Sequence, residues 1–142
     1  MDAAPQPPPA QIDWVQVFFS STGRMGRGWF VLTGVFLLAI LYGYDAIAGG
    51  VLRLLTGWAV FSLIFFSAAC ILSKRLHDRG RSGWWAALIL LSLVAVWPTP
   101  KHVLDFLFAG VVVWAIIELG VMPGEQGANR YGANPLKPAV AL

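Results

Sequence analysis

The chain has 142 residues, 58% of them hydrophobic and only 12% charged, with a formal net charge of +3. Soluble domains carry about 25% charged residues, so a chain this apolar cannot cover its own core and needs lipid as part of its solvent. Its single cysteine, Cys70, excludes an intrachain disulfide or a cysteine-based metal site. The basic residues gather at the ends of apolar runs, which suits anionic headgroups and excludes nucleic acid as the partner.

Residues 1–11 are rich in Pro, Gln and Ala and are expected to be a disordered tail. Residues 12–19 place Trp14, Val15, Val17, Phe18 and Phe19 in a short amphipathic segment on the membrane surface. Four apolar runs follow, at about 28–44, 54–72, 83–97 and 103–122. At about 1.5 Å per residue such runs match a hydrocarbon core about 30 Å thick. Arg24 and Arg27 before the first run and Ala46-Ile47-Ala48 after it imitate a signal peptide. The run is longer than the usual 7–15 apolar residues, so it is read as a retained span.

Residues 45–52, with Gly49-Gly50, are expected to form one outer loop, and Trp97-Pro98-Thr99-Pro100 to end the third span. Short loops make sequential helices antiparallel, and the expected fold is all-α, an integral membrane four-helix bundle over residues 12–135. The remainder, 136–142, is a C-terminal tail. With both termini on one side, Arg24, Arg27, Lys74, Arg75, Arg79, Arg81, Arg130 and Lys137 share that side against Arg53 and Lys101 on the other. The bias predicts cytoplasmic N- and C-termini. Trp29, Trp84 and Trp85 would mark the inner interface, and Tyr42, Tyr44, Trp58 and Trp97 the outer one.

In the second span Ala59, Ser62, Phe66, Ala69 and Ser73 form a stripe of mostly small side chains suited to helix contact. The third run is short, giving about 22 Å of helix, unless its helix begins near Ser82. Ser82 is a good N-cap and Gly80 a permissive turn residue. A helix start flanked by Arg75, Arg79 and Arg81 forms a candidate anion site, with lipid phosphate the nearest abundant ligand. The other reading makes these arginines topology anchors that snorkel to headgroups.

Asp78 is expected to pair with Lys74 or Arg75, four and three residues earlier. His77-Asp78 otherwise suggests acid–base chemistry, a ligand contact or a pH response, but the only other histidine, His102, lies on the opposite side, and no metal set is expected. Glu118 lies about one turn inside the end of the fourth span, where the helix dipole disfavours a carboxylate. It should face the bundle and either find a cation among Arg24, Arg27 and the residues 74–81, or carry protons in a pathway. Asp105, at the start of that helix, suits the dipole.

The segment Lys74-Arg75-Leu76-His77-Asp78-Arg79-Gly80-Arg81-Ser82-Gly83-Trp84-Trp85 resembles the signature of a bacterial inner-membrane family known as domain of unknown function 805. Gly127-Ala128-Asn129-Arg130-Tyr131-Gly132 is similar to that family's closing motif, and Phe19 to Arg27 with Phe30 to its opening one. The opening departs from the pattern at Ser21, Gly28, Trp29 and Val31. The resemblance implies a multi-pass inner-membrane protein and brings no established activity.

All three motifs fall on the expected cytoplasmic face, where Arg24, Arg27, His77, Asp78, Glu118, Asn129 and Arg130 can build one polar layer. The favoured reading is a non-catalytic module or accessory subunit with no cofactor. It would bind membrane lipid (an anionic phospholipid in particular), a larger membrane protein complex or further copies of itself. The alternative is a small membrane enzyme or transporter for an anionic lipid or small anion. The first is favoured because no nucleophile–base pair, metal set or phosphate-cradling loop is present.

Overall fold

The computed structural model describes residues 12–96 and 101–136. The expected disorder of 1–11, the Trp97-Pro98-Thr99-Pro100 stop, the outer-interface Trp97 and the tail from 137 onward lie outside the described residues. The order is α1 (Trp14–Phe19), α2 (Arg27–Ile47), α3 (Gly50–Asp78), α4 (Trp85–Val96) and α5 (Val103–Ala115), the last continuing as a π-helical segment, Ile116–Val121. Among the described residues no strand forms. Among the described residues three helices, α2, α3 and α5 with its extension, are long and apolar enough to cross a membrane, and α4 is a shorter apolar helix. The arrangement is that of a membrane helical bundle.

The helices overrun the apolar runs. The expected outer loop of residues 45–52 shrinks to Ala48-Gly49, because α2 continues to Ile47 and α3 begins at Gly50. Asp45 and Arg53 sit on these helical extensions and pair at 2.5 Å, while Tyr44 Oη and Thr56 Oγ1 lie 2.9 Å apart. Polar side chains at a helix end do not stop a helix; backbone breakers do, and Gly49 is the first one available.

At its other end α3 runs through Lys74, Arg75, His77 and Asp78 before stopping. Gly80 N–H donates to His77 O at 3.0 Å and Arg81 N–H to Leu76 O at 2.9 Å, with Gly80 at φ +68°. This is a Schellman ending, which needs a left-handed residue at the position of Gly80. The chain then enters α4 through tight i→i+3 bonds, Trp85 N–H to Ser82 O and Ala86 N–H to Gly83 O. Ser82 Oγ accepts from Trp84 N–H at 3.5 Å, a weak version of the expected cap.

Packing is concentrated at the end of the bundle where α3 stops. Leu76, Ala86, Ile89, Ala115 and Leu119 join α3, α4 and α5 in one buried cluster. Met25, Leu37 and Ile71 join α2 and α3 in another, with Val17 and Phe18 of α1 against it. Large apolar side chains elsewhere, such as Val35, Leu54, Leu63 and Leu107, face outward, as lipid contact allows.

The small-residue stripe of α3 packs within the chain only at its Ser73 end, where Ser73 Oγ donates to Gly83 O at 3.3 Å. Ala59 and Ser62 are exposed and Phe66 is 54% exposed. The buried face is set instead by Gly57, Ser67, Cys70, Ile71, Lys74, Arg75, Leu76 and Asp78, because the polar residues at the end of α3 must turn inward and thereby set the rotation of the whole helix.

Candidate functional site: an arginine-bound polar end

Two carboxylates organise this end. Asp78 ends α3 and is 2% exposed; Arg24, on the segment before α2, holds its Oδ1 at 2.9 Å, and Arg75 Nη1 donates to its Oδ2. Glu118, 8% exposed on the π-helical segment, accepts at Oε1 from Arg79 Nη2 at 2.9 Å and Arg81 Nε at 3.1 Å. Each acid lies near the C-terminal end of a helix, where the dipole repels a negative charge. Two guanidiniums apiece offset that repulsion and the loss of hydration.

Other donors of Arg27, Arg75 and Arg79 reach backbone carbonyls. Arg75 Nε donates to Leu119 O at 2.8 Å and Nη2 to Met122 O at 2.5 Å. Arg27 Nη1 donates to Val121 O at 2.8 Å, and Arg79 Nη1 to Pro123 O at 2.6 Å. These are the carbonyls that the end of a helix leaves without intrahelical partners. The π-helical widening, with Met122 N–H bonded to Ile117 O at 3.1 Å, accompanies them. Three arginines from two other segments thus cap this helix.

The segment after it folds back over the same end. Arg24 donates to Glu125 O and Gly127 O, each at 2.6 Å, and to Gly132 O at 3.3 Å. Glu125 N–H donates to Asp78 O at 2.8 Å, and Asn129 Nδ2 to His77 O at 2.9 Å. His77 Nδ1 lies 3.1 Å from Gly23 O, and its ring stacks on Tyr131 with centroids 3.8 Å apart. Gly124 packs so tightly that a Cβ there would fall 2.6 Å from Asp78 Cγ.

Of the layer residues, Arg24, His77, Asp78 and Asn129 therefore share one network, while Glu118 joins Arg79 and Arg81 in a second. Arg27 reaches only the Val121 carbonyl. Arg130 is exposed at the rim, 4.7 Å over the Tyr131 ring. The four residues of the expected anion site do not converge on one space. Arg75 is completely buried among protein acceptors, Arg79 and Arg81 turn to Glu118, and Ser82 faces the α3–α4 groove.

Lys74 is not a partner of Asp78. Its Nζ donates to Val17 O at 2.8 Å and also to Gln16 O, closing the C-terminal end of α1. Phe18 meets Phe36 of α2 and Phe19 meets Phe66 of α3, so α1 packs across both helices with none of its residues buried. Asp105 accepts from the Lys101 and His102 backbone N–H groups at 2.7 and 2.8 Å, a terminus role in keeping with its place.

Glu125 and Gly124 also belong to the site and carried no signal individually; Tyr131, which stacks on His77, was visible only as part of the closing motif. Among the described residues no group of three or more His, Cys, Asp or Glu is placed to hold a metal ion.

The family model described as "Protein of unknown function (DUF805)" matches residues 18–133. The chain is 31% identical over 126 residues to "Uncharacterized protein YiiR" of Escherichia coli K12, covering 82% of this chain and 86% of that protein. It is 29% identical over 136 residues to "Inner membrane protein YhaH" of the same organism, covering 87% and 97%. No solved structure matches.

Proposed function

The chain belongs to the DUF805 family, and on that footing we propose that it is a non-catalytic multi-pass module of a bacterial inner membrane. Its polar end faces the cytoplasm and serves an accessory role, binding a membrane protein or an anionic lipid. The observation that carries this reading is the satisfaction of that end: among the described residues no buried side-chain nitrogen or oxygen lacks a partner. A catalytic acid or base, or a carboxylate that carries a proton or ion, must be free to change partners. Asp78 and Glu118 are instead each held by two arginines, of which Arg24, Arg75 and Arg79 are themselves tied to backbone carbonyls. The sequence bias of basic residues toward this end supports the cytoplasmic orientation.

The test is reconstitution of the purified chain alone in liposomes of phosphatidylethanolamine and phosphatidylglycerol. Lipid composition should stay constant and neither phosphate nor chloride should cross. Cross-linking in native membranes should join the polar end to one stoichiometric protein or lipid neighbour. Lipid turnover or anion flux by the pure chain would overturn the reading.

A further inference from the structure

Lys74 is 5% exposed, yet among the described residues no ion pair includes it. Arg24 and Arg75 share Asp78, and Arg79 and Arg81 share Glu118. Lys74 has the Gln16 and Val17 carbonyls, which take two of the three ammonium donors. They satisfy hydrogen bonds but not the charge. Those carbonyls end a helix of six residues, and even a long helix presents only about half an elementary charge there. A buried cation left without a counter-charge is costly.

A pocket of about 280 Å³ opens beside Lys74, between α1, the segment before α2 and the end of α3. Lys74, Thr22 and Gly26 line it, with Ile12, Val17, Met25, Trp29 and Pro135 as an apolar wall. Gly26 is the N-cap of α2 and brings no side-chain cap. The first bond of α2 runs from Phe30 N–H to Gly26 O at 3.0 Å, and among the described residues no acceptor meets the N–H groups of Arg27, Gly28 and Trp29. A 21-residue helix thus starts with open donors, at the positive end of its dipole, against the pocket that Lys74 lines. Arg24 also lines the pocket, but its guanidinium is spent on Asp78 and the Glu125, Gly127 and Gly132 carbonyls. Among the described residues no carboxylate lines it. Asp13 turns its Oδ1 to the Gln16 N–H, and Glu125 accepts from Asn129 Nδ2 with its carboxylate against Gly80.

We propose that this pocket binds one phosphate group carrying a single charge, held between the Lys74 ammonium and the start of α2. Free N–H groups at a helix start are donors aimed at such an oxyanion, and lysine supplies the point charge that phosphate sites use. One unpaired cation matches one negative charge, as on a phosphodiester, and the apolar wall receives what the phosphate is attached to. An anionic phospholipid and a soluble phosphate offer the same group. The proposal gives the accessory-module reading its ligand site and rests on it.

The experiment is native mass spectrometry of the full chain from nanodiscs containing equal phosphatidylglycerol and phosphatidylethanolamine, with thermal unfolding alongside. Wild type should retain one phosphatidylglycerol in preference to phosphatidylethanolamine. Lys74→Met removes the charge and should reduce that preference about tenfold, equivalent to about 1.4 kcal/mol. Because Lys74 also closes α1, Gly28→Asp decides the matter if Lys74→Met fails to fold. Gly28 has open space around an added Cβ, and a carboxylate there occupies the helix start in place of the ligand. It should abolish the preference without lowering the unfolding temperature. Inorganic phosphate, added to the chain in phosphatidylcholine nanodiscs, tells the two sources apart. A rise in unfolding temperature in wild type and in neither variant would support the site with soluble phosphate as its ligand; no rise, with phosphatidylglycerol retained, would support it with lipid. A lipid preference unchanged in both variants, with no response to phosphate, would overturn the pocket while leaving the accessory reading intact, since lipid would then bind elsewhere on the module. Neither preference nor response in wild type would also overturn the pocket, and would restrict the accessory reading to a protein partner.

Discussion

Arg75 Nε donates to the carbonyl of Leu119 at 2.8 Å, so the guanidinium at the end of α3 caps the end of the antiparallel α5. The same side chain holds Asp78 and the Met122 carbonyl, and none of it is exposed. A single residue therefore links two helix C-termini that would otherwise repel its carboxylate neighbour and leave carbonyls unpaired in a dry site.

Arg75→Met is expected to lower stability by about 3–5 kcal/mol, the usual cost of removing one partner of a buried pair. Arg75→Lys should recover little of it, because an ammonium cannot reproduce the three-way planar fork. Thermal unfolding in a mild detergent measures both. A lysine variant as stable as wild type would show that charge alone suffices.

Glu118→Gln should cost about 1–3 kcal/mol, the range for losing charged hydrogen bonds at a buried position. A double-mutant cycle with Arg79→Gln should return a coupling energy of at least about 0.5 kcal/mol, as expected for residues in contact. Additive effects would mean that Arg81 alone holds the carboxylate.

Gly124→Ala should destabilise by about 1–3 kcal/mol, since overpacking against the fixed Asp78 carboxylate leaves no room to adjust. Gly127→Ala, three residues on and with nothing within 4 Å of its Cβ position, should stay within about 0.5 kcal/mol of wild type. Equal effects at the two positions would point to chain entropy and not to the collision.

The orientation is checked with single cysteines in a Cys70→Ala background. Gly49→Cys should react with a membrane-impermeant maleimide in intact cells, and Gly127→Cys only after permeabilisation. Both sites have open space around the added side chain. The reverse pattern would invert the topology.

Membrane insertion and helical class were legible in the residues alone, because a backbone in hydrocarbon must satisfy its own hydrogen bonds and long apolar runs permit only helices or closed barrels. The Arg75–Asp78 pair was legible too, being three residues apart on one helix, as was the need of Glu118 for a cation, since the dipole argument is local. Helix ends were less so. The turn between α2 and α3 shrank to Ala48-Gly49 because Asp45 and Arg53 are compatible with helix, and apolar runs mark lipid depth more than helix length. Only the tertiary structure decided where the arginines point. Arg75, Arg79 and Arg81 suggested an external anion because they flank a helix start, while the carbonyls that Arg75 and Arg79 reach, those of Leu119, Met122 and Pro123, are present on every residue and are freed only by the end of a neighbouring helix, and Arg81 turns to Glu118. The rotation of α3 followed from the same contacts, which turned Lys74, Arg75 and Asp78 inward and left Ala59, Ser62 and Phe66 facing outward.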